Sequence, residues 1–214
     1  MELRTPEELL AIGFSRSRVV MMNEAHSGMK RCVRTREIGR RLLPGAHALG
    51  VRHLAMEALY GPYLAQPDMA AVVDSAEELG FRLIPYEVTR LMSSNEREEG
   101  QARNLATALA QLPPDSPLFV WCGIGHLWKV PPRQEWTPMA CRFWEITGVE
   151  PFSIDQTVTV EFDPDVTSAW HGLGLEQTRR LEAMGGTAGF LVEDSPIPRP
   201  GADAVLLSTE NALE

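Results

Sequence analysis

Residues suited to acid–base chemistry stand where four apolar runs of the sequence end. They are Glu24 and His26, Glu57, Glu87 and His126, which follow the runs 18–22, 51–56, 81–86 and 118–122. Successive groups lie about 30 to 40 residues apart, close to the length of one strand–helix–strand unit. Ligands of open α/β sheets bind outside the carboxyl ends of the strands. The spacing therefore predicts that two imidazoles and three carboxylates meet on one rim, as an active site.

Glu24 and His26 lie two positions apart in Asn23-Glu24-Ala25-His26, so both side chains face the same side of an extended chain. A carboxylate beside an imidazole fixes its tautomer and raises its basicity, as a general base or a metal ligand requires. We therefore expect His26, oriented by Glu24, to be a general base or a metal ligand. The alternative is a surface histidine near a helix start.

His126 closes the motif Gly123-Ile124-Gly125-His126, in which glycine permits an unusual backbone and close approach to a ligand. We expect His126 at the same rim, and a capping or packing histidine is the alternative. The other histidines occupy no strand end and are interpreted as structural: His47, His53 and His171.

Glu57 and Glu87 end apolar strands, where a buried carboxylate needs a partner such as an arginine, a metal ion or a substrate amine. A solvated strand end is the alternative, and apolar neighbours make it the weaker interpretation for Glu57. Arg97 follows a Ser-Ser-Asn helix start, so we expect its guanidinium to hold a carboxylate or an oxyanion at the rim. An exposed Arg97 paired with Glu98 or Glu99 is the competing interpretation.

Further polar side chains are placed to reach the same rim. Gln101 and Asn104 share one helical face with Arg97. Arg31 and Arg34 lie one or two turns into the helix after the first strand, where they would bind an anionic substrate group or an oxyanion. The clustering of arginines in this helix fits a solvated face equally well.

Composition excludes several classes of protein. A net charge of −9 leaves no generic basic face for nucleic acid. Hydrophobic and charged shares of 44% and 23% are those of an ordinary globular protein. No apolar run approaches the ~20 residues of a membrane helix, and neither a signal-peptide pattern nor a serine or cysteine nucleophile motif is present. Three cysteines without metal spacing suit a reducing compartment. We expect a cytoplasmic protein that acts on a small molecule or a peptide.

The alternation of strand and helix patterns predicts a three-layer α/β fold, with a mostly parallel sheet flanked by helices. We expect one domain over residues 1–214, with a core at 1–162 and a small irregular C-terminal extension at 163–214. A helix should begin after Thr5, and Pro44-Gly45 should end the second helix. The remaining elements are predicted as follows: helices over 29–43, 67–79, 96–112, 139–147 and 175–184, a strand over 152–162, and short edge strands over 189–192 and 204–207.

Four segments together resemble a known superfamily. They are Asn23-Glu24-Ala25-His26, Leu54-Ala55-Met56-Glu57, Arg97-Glu98 with Gln101-Ala102 and Asn104, and Gly123 with Gly125-His126. This order resembles the superfamily of erythromycin esterases, ChaN-type haem-uptake proteins and Tiki proteases, over roughly residues 18–160. The chain departs from it at Asn23, where many members have glycine, and at Arg31-Cys32, where relatives have His-Arg. The resemblance implies an α/β core with a strand-end site.

The resemblance further implies a hydrolase, in which a histidine-activated water attacks an ester, amide or peptide bond. His26 would take the proton from water, while Glu57 and His126 position that water or share a divalent ion. The oxyanion would be stabilised by arginine side chains: Arg97 with Arg31 or Arg34.

A metal ion is optional in this scheme, and no other cofactor is expected. Its ligands would come from the imidazoles and carboxylates of the rim: His26, His126, Glu57 and Glu24. The alternative function is a non-catalytic, ChaN-like binder of haem or another small ligand, which would use the same rim with the loop of Tyr60 and Tyr63.

Overall fold

The computed structural model describes residues 1–25, 29–57, 59, 61–90, 93–132, 134–160, 175–196 and 199–209. Strands and helices alternate over most of this length, which confirms the predicted α/β class. The strands are β1 (Val19–Glu24), β2 (His53–Met56), β3 (Arg82–Pro85), β4 (Leu118–Gly123), β5 (Phe152–Val160), β6 (Thr187–Leu191) and β7 (Ala204–Thr209). The helices are α1 (Pro6–Arg16), α2 (Met29–Ala48), α3 (Gly61–Leu64), α4 (Pro67–Glu78), α5 (Ser94–Gln111), α6 (Met139–Thr147) and α7 (Leu175–Ala183).

One sheet contains the seven described strands, in the order β3-β2-β4-β1-β5-β7-β6. Their pairings are parallel, apart from the antiparallel pair of β6 and β7. Because β1 to β4 run in one direction, the residues that follow them gather along the same edge of the sheet. This edge carries the predicted rim.

Helices cover both faces of the sheet, as predicted for three layers. Successive strand residues point to opposite faces, so Val20 packs in the core cluster with α1, α2 and α4, while Val19 packs with α5 and α6. A third cluster joins Leu181 of α7 to Phe190 and Leu207 of the β6–β7 pair. Among the described helices, none has the length and apolar character needed to cross a membrane.

The predicted start of α1 is confirmed. The Thr5 side chain accepts a hydrogen bond from the Glu8 backbone N–H, and the Glu8 carboxylate accepts one from the Thr5 N–H. This reciprocal capping box satisfies two amides that the helix itself cannot pair.

Two predictions about these elements are wrong, one on where a helix ends and one on the position of a strand. The helix α2 continues through Pro44 to Ala48, because Pro44 lies on the exposed side of the helix while Leu43 and Ala46 are buried against the core. A carbonyl freed by proline on the exposed side can face water. In addition, β7 is not an edge strand, since it pairs with both β5 and β6. The C-terminal part thus extends the same sheet.

Candidate functional site

The carboxyl ends of β2, β3 and β4 are adjacent in the sheet, and each is followed by an ionisable side chain of the predicted rim. Glu57 follows β2, Glu87 follows β3, and His126 follows β4. Glu57 Oε1 lies 3.6 Å from His126 Nε2, and both side chains are 9% exposed. Together with Arg97 and Glu98 of α5, these residues form what we call the rim cluster.

Glu57 is fixed to the end of the neighbouring strand β4. Its Oε2 accepts a hydrogen bond from the Gly123 N–H at 2.7 Å, and its own N–H donates to the Trp121 carbonyl at 3.2 Å. These bonds hold one carboxylate oxygen, so the other faces Arg97 and His126.

Arg97 lies between the carboxylates of Glu57 and Glu87. Its Nη2 donates to both, its Nε donates to Glu87 at 3.1 Å, and its Nη1 lies 3.3 Å from His126 Nε2. A planar guanidinium can make all these contacts at once, whereas an ammonium is a point charge. Burial acts to lower the pKa of Arg97, but the bonds and charges of Glu87 and Glu57 outweigh it and raise this pKa. The cation is therefore permanent.

His126 is held from behind by Glu98, the sequence neighbour of Arg97. Its Nδ1 lies 2.8 Å from the Glu98 carboxylate, which also accepts the Met139 N–H at the start of α6 at 2.7 Å. A carboxylate only accepts, so Nδ1 carries the proton and Nε2 is turned toward Arg97 and Glu57. A carboxylate behind an imidazole that faces a polar site is the arrangement of a general base.

The protonation of His126 depends on opposing effects. Burial acts to lower the pKa of His126, but the hydrogen bond with Glu98 and the charges of Glu57 and Glu98 outweigh it and raise the pKa above the ordinary value of 6.5. Neutral Nε2 can accept from Arg97 Nη1, whereas the protonated nitrogen can donate only toward the Glu57 carboxylate. The imidazole can therefore both take and return a proton in this cluster.

The first turn of α5 places Arg97 and Glu98. The Ser93 hydroxyl accepts from the Glu96 N–H, and the Glu96 carboxylate accepts from the Ser93 N–H at 2.9 Å, so the helix starts with a capping box. This confirms the start predicted from Ser-Ser-Asn. Further along the same helix face, Gln101 donates to Glu87 at 3.1 Å.

Glu98 is the member of the rim cluster that sequence analysis considered only in the competing interpretation, as a partner of an exposed Arg97. It is instead 3% exposed. A signal was present, since Glu98, Ala102, Leu105 and Leu109 recur at helical spacing along one buried stripe of α5. A carboxylate in line with such a stripe must face a partner in the interior.

Glu24 belongs to a separate buried ion pair on the other side of β4. Its carboxylate accepts from Arg36 Nε at 2.8 Å and Nη2 at 2.9 Å, and from the Trp121 indole N–H at 3.1 Å. Arg36 also donates to Asp68 at 2.8 Å. Glu24 and Arg36 are each 2% exposed, so the arginines of α2 do not form a uniformly solvated face.

Three other predicted site residues are His26, Arg31 and Arg34. His26 lies outside the described residues, and its role as a base oriented by Glu24 stays a prediction. Arg31 lies in α2, but its side chain is outside the described part. Arg34 is buried, at 7% exposure, so the solvated-face interpretation is wrong for this residue, and its role toward substrate stays a prediction.

The glycine before His126 has a role that the sequence interpretation did not anticipate. A side chain at Gly125 would meet the Trp136 ring at 2.6 Å, and the backbone there is not in the left-handed region. Gly125 therefore serves close packing of Trp136 rather than an unusual backbone. Trp136 in turn packs edge-on against Trp128, with ring centroids 6.0 Å apart.

A divalent ion does not fit the described part of the rim cluster. The guanidinium of Arg97 lies between Glu57 and Glu87 and against His126 Nε2, which is the place that a metal ion shared by these groups would need. Within the described ranges, no group of three or more His, Cys, Asp or Glu side chains is arranged to hold a metal. His26, the other predicted ligand, lies outside those ranges.

The described tyrosines, Tyr63 and Tyr86, do not favour the haem-binding alternative. The Tyr86 hydroxyl is buried and donates to the Trp121 carbonyl at 2.9 Å, and burial, with nearby acidic groups, raises the pKa of Tyr86. Tyr63 is partly buried against the core cluster of α1, α2 and α4. Tyr60 lies outside the described residues.

Comparison with known proteins relates the chain to others through its fold. No family model and no curated protein matches it. A structure described as bacterial protein toxins aligns with a TM-score of 0.53 and 14% identity, over 72% of this chain and 37% of that one. A Bacillus cereus protein aligns with a TM-score of 0.55 and 10% identity, over 89% of this chain and 88% of that one. An erythromycin esterase aligns at a TM-score of 0.35 and 13% identity, over 85% of this chain and 52% of that one.

Sequence identities this low show a shared fold and not a shared activity. The chain spans little more than a third of the length of the toxin structures that it matches, and the TM-score of the esterase is too low to carry an argument. Fold and site together define an α/β protein with ionisable groups at the carboxyl edge of its sheet. The comparisons support the α/β fold, and the resemblance to the superfamily named from the sequence stays a prediction.

Proposed function

We propose that this chain is a hydrolase in which His126 activates a water molecule to attack an ester or amide carbonyl. The observation that carries the proposal is the pairing of His126 Nδ1 with the buried Glu98 carboxylate at 2.8 Å, while Nε2 faces Arg97 at 3.3 Å. One imidazole thus has its proton fixed on Nδ1 and a permanent cation beside Nε2.

Each step of the proposed reaction uses a group of the rim cluster. Neutral His126 Nε2 accepts a proton from water as the water oxygen bonds to the carbonyl carbon. The carbonyl oxygen becomes an oxyanion, to which Arg97 Nη1 donates once it turns from Nε2. The C–O or C–N bond then breaks, and the imidazolium returns its proton to the leaving oxygen or nitrogen. Glu57, anchored by Gly123, directs its other carboxylate oxygen, which also accepts from Arg97, toward the attacking water.

This assignment moves the proton acceptor from the predicted His26 to His126. The support is that His126 has a described orienting carboxylate, while the Glu24 carboxylate is shared by Arg36 and Trp121. His26, Arg31 and Arg34 stay predicted contributors to binding. A small molecule or a peptide is the expected substrate.

Hydrolysis of a panel of chromogenic esters and fluorogenic peptides tests the proposal. The substitution His126→Asn keeps a donor toward Glu98, so the fold should persist, while turnover should fall on the order of 10²–10⁴-fold with the general base removed. Because the pKa of His126 is raised above 6.5, kcat/KM of the wild type should rise with pH through a value above 6.5.

His53→Asn is the matched control, because His53 begins β2 at the opposite edge of the sheet, and it should leave turnover unchanged. Wild-type turnover by the His126→Asn protein would overturn the assignment. A shifted Soret band on adding haemin, together with no hydrolysis across the panel, would favour the haem-binding alternative.

A further inference from the structure

The backbone ladder between β1 and β5 ends before the site is reached. The two strands pair from Val20–Phe152 to Met22–Ile154. Beyond that point β5 is irregular, with a register shift between Asp155 and Val158 in its pairing with β7. Such bulges leave backbone groups without ladder partners and are frequent beside functional sites.

The Asn23 side chain fills the gap left by this irregularity. Asn23 is fully buried, and its Oδ1 accepts the Gln156 N–H at 2.9 Å. Its Nδ2 donates to the Asp155 carboxylate at 3.0 Å and to the Ile124 carbonyl at 2.9 Å. The Gln156 side chain completes the connection by donating to the Asn23 carbonyl at 2.6 Å.

Ile124 lies inside the turn that carries His126. The turn is held at its start by the bond from Gly123 N–H to Glu57, and at its end by the bond between His126 and Glu98. Asn23 holds the middle, because a carbonyl bonded at 2.9 Å cannot rotate without breaking that bond. The orientation of the imidazole thus depends on three anchors from three parts of the chain.

The Asn23 anchor is itself held by an ion pair from the C-terminal part. The fully buried Asp155 carboxylate accepts from Arg199 Nε at 2.9 Å and Nη2 at 2.6 Å. Burial acts to raise the pKa of Asp155, but Arg199 and the bonds from Thr157 and Asn23 outweigh it and lower this pKa. The carboxylate is therefore ionised, and it accepts strongly from Asn23.

We propose that Asn23 is a positioning residue for His126, acting through the Ile124 carbonyl, and that Arg199 sets the geometry of Asn23 through Asp155. This inference rests on the proposed hydrolase for its effect on rate, but the placement of the imidazole can be measured separately. Through Arg199, the C-terminal extension would then contribute to the geometry of the site.

The test follows the Nδ1–H proton of His126 in NMR spectra of protein carrying ¹⁵N-labelled histidine, with the resonance identified by its loss in His126→Asn. In Asn23→Ser the shorter side chain cannot bond to both Ile124 and Gln156. In Arg199→Ala the Asp155 carboxylate loses the guanidinium that holds it. We expect the resonance to broaden or move upfield in both, because the bond to Glu98 loosens. Turnover should fall about tenfold through kcat with KM unchanged. Compared with Arg199→Ala, Arg199→Lys should recover part of the wild-type resonance and part of the turnover.

Arg16→Ala is the matched control, since Arg16 forms an exposed ion pair with Glu193 of the same C-terminal part at 2.8 Å, and it should change neither signal. Should Asn23→Ser fail to fold, Arg199→Ala carries the test alone, because Arg199 is 32% exposed. An unchanged Nδ1–H resonance in a folded Arg199→Ala protein overturns the inference. A changed resonance in a protein that hydrolyses nothing would refute the proposed function and leave the positioning role standing.

Discussion

Arg97 and Glu98 are consecutive in sequence, yet they contact opposite sides of one imidazole. Successive helix residues point about 100° apart, so the first turn of α5 directs one side chain to His126 Nε2 and the next to Nδ1. A single helix start therefore supplies both the cation and the orienting carboxylate. The capping box at Ser93 and Glu96 fixes the turn that does this.

We expect the planar geometry of the Arg97 guanidinium to matter more for kcat/KM than its positive charge. In Arg97→Lys the cation remains, but one ammonium cannot bind Glu57 and Glu87 and also reach an oxyanion. We expect kcat/KM to fall roughly 10²–10³-fold, the scale of losing an oxyanion donor, with little change in melting temperature because the charge is kept. Steady-state kinetics and thermal unfolding of the same preparation measure the two effects.

The control for this substitution is Arg103→Lys in the same helix. Arg103 pairs with Glu99 at 2.7 Å and is 67% exposed, so its replacement should leave both quantities unchanged. Wild-type turnover in Arg97→Lys would show that the role of the Arg97 guanidinium is purely structural.

Sequence alone could place Glu57, Glu87 and His126 on one edge of the sheet. This requires only the positions of the apolar runs and the expectation that the strands they form are parallel. The sequence could not predict which of these side chains touch. That depends on β4 lying between β2 and β1, an order that the chain order of the strands does not specify. The contact of Glu98 with His126 was not predicted for a related reason, since His126 lies in the loop after β4.

At the scale of elements, α2 approaches β4 closely because residue 39 is glycine. A Cβ at Gly39 would overlap the six-membered ring of Trp121, whose indole N–H donates to Glu24. Gly39→Ala should therefore destabilise the protein, since overpacking at so close a contact costs up to about 3 kcal/mol, more than the roughly 1 kcal/mol that alanine adds to helix stability. The free energy of unfolding in urea measures the difference.

Gly45→Ala in the same helix is the control, because a Cβ there meets only the Glu7 side chain, at 4.0 Å. That substitution should stabilise the protein by up to about 1 kcal/mol. Equal effects of the two substitutions would show that the contact of Gly39 with Trp121 does not limit how closely α2 packs.

Boundaries of elements were predictable where local chemistry sets them. The caps at Thr5 and Ser93 lie where the sequence pattern places them. The end of α2 was not predictable from Pro44, since burial of Leu43 and Ala46 against the core outweighs the hydrogen bond that proline removes. The interior place of β7 likewise depends on its pairing with β5, far away in sequence.

At the scale of the molecule, the buried charges of the described residues are concentrated at one edge of the sheet. Ion pairs of Glu24 with Arg36, Asp155 with Arg199, and Glu98 with His126 each bind a carboxylate that is at most 3% exposed. Below them the strands are lined by apolar side chains. Buried pairs contribute little net stability compared with apolar contacts, so their concentration here is consistent with a site rather than with a structural need.

The response of the whole fold to pH tests whether the His126–Glu98 pair forms in solution. The pKa of His126 in the folded protein is raised above its ordinary value of 6.5. Its contribution to the free energy of unfolding is therefore fully present below about pH 6.5 and is lost as pH rises through the higher folded-state pKa.

We expect urea unfolding of the wild type to show a loss of stability above pH 6.5 that His126→Asn lacks. The lowered pKa of His53 makes stability rise with pH, and the lowered pKa of Asp155 acts only below about pH 3.8. Both effects are common to the two proteins, so the difference curve isolates His126. Parallel curves above pH 6.5 would mean that the imidazole gains no proton affinity on folding, and the assignment of Glu98 as its orienting carboxylate would then be wrong.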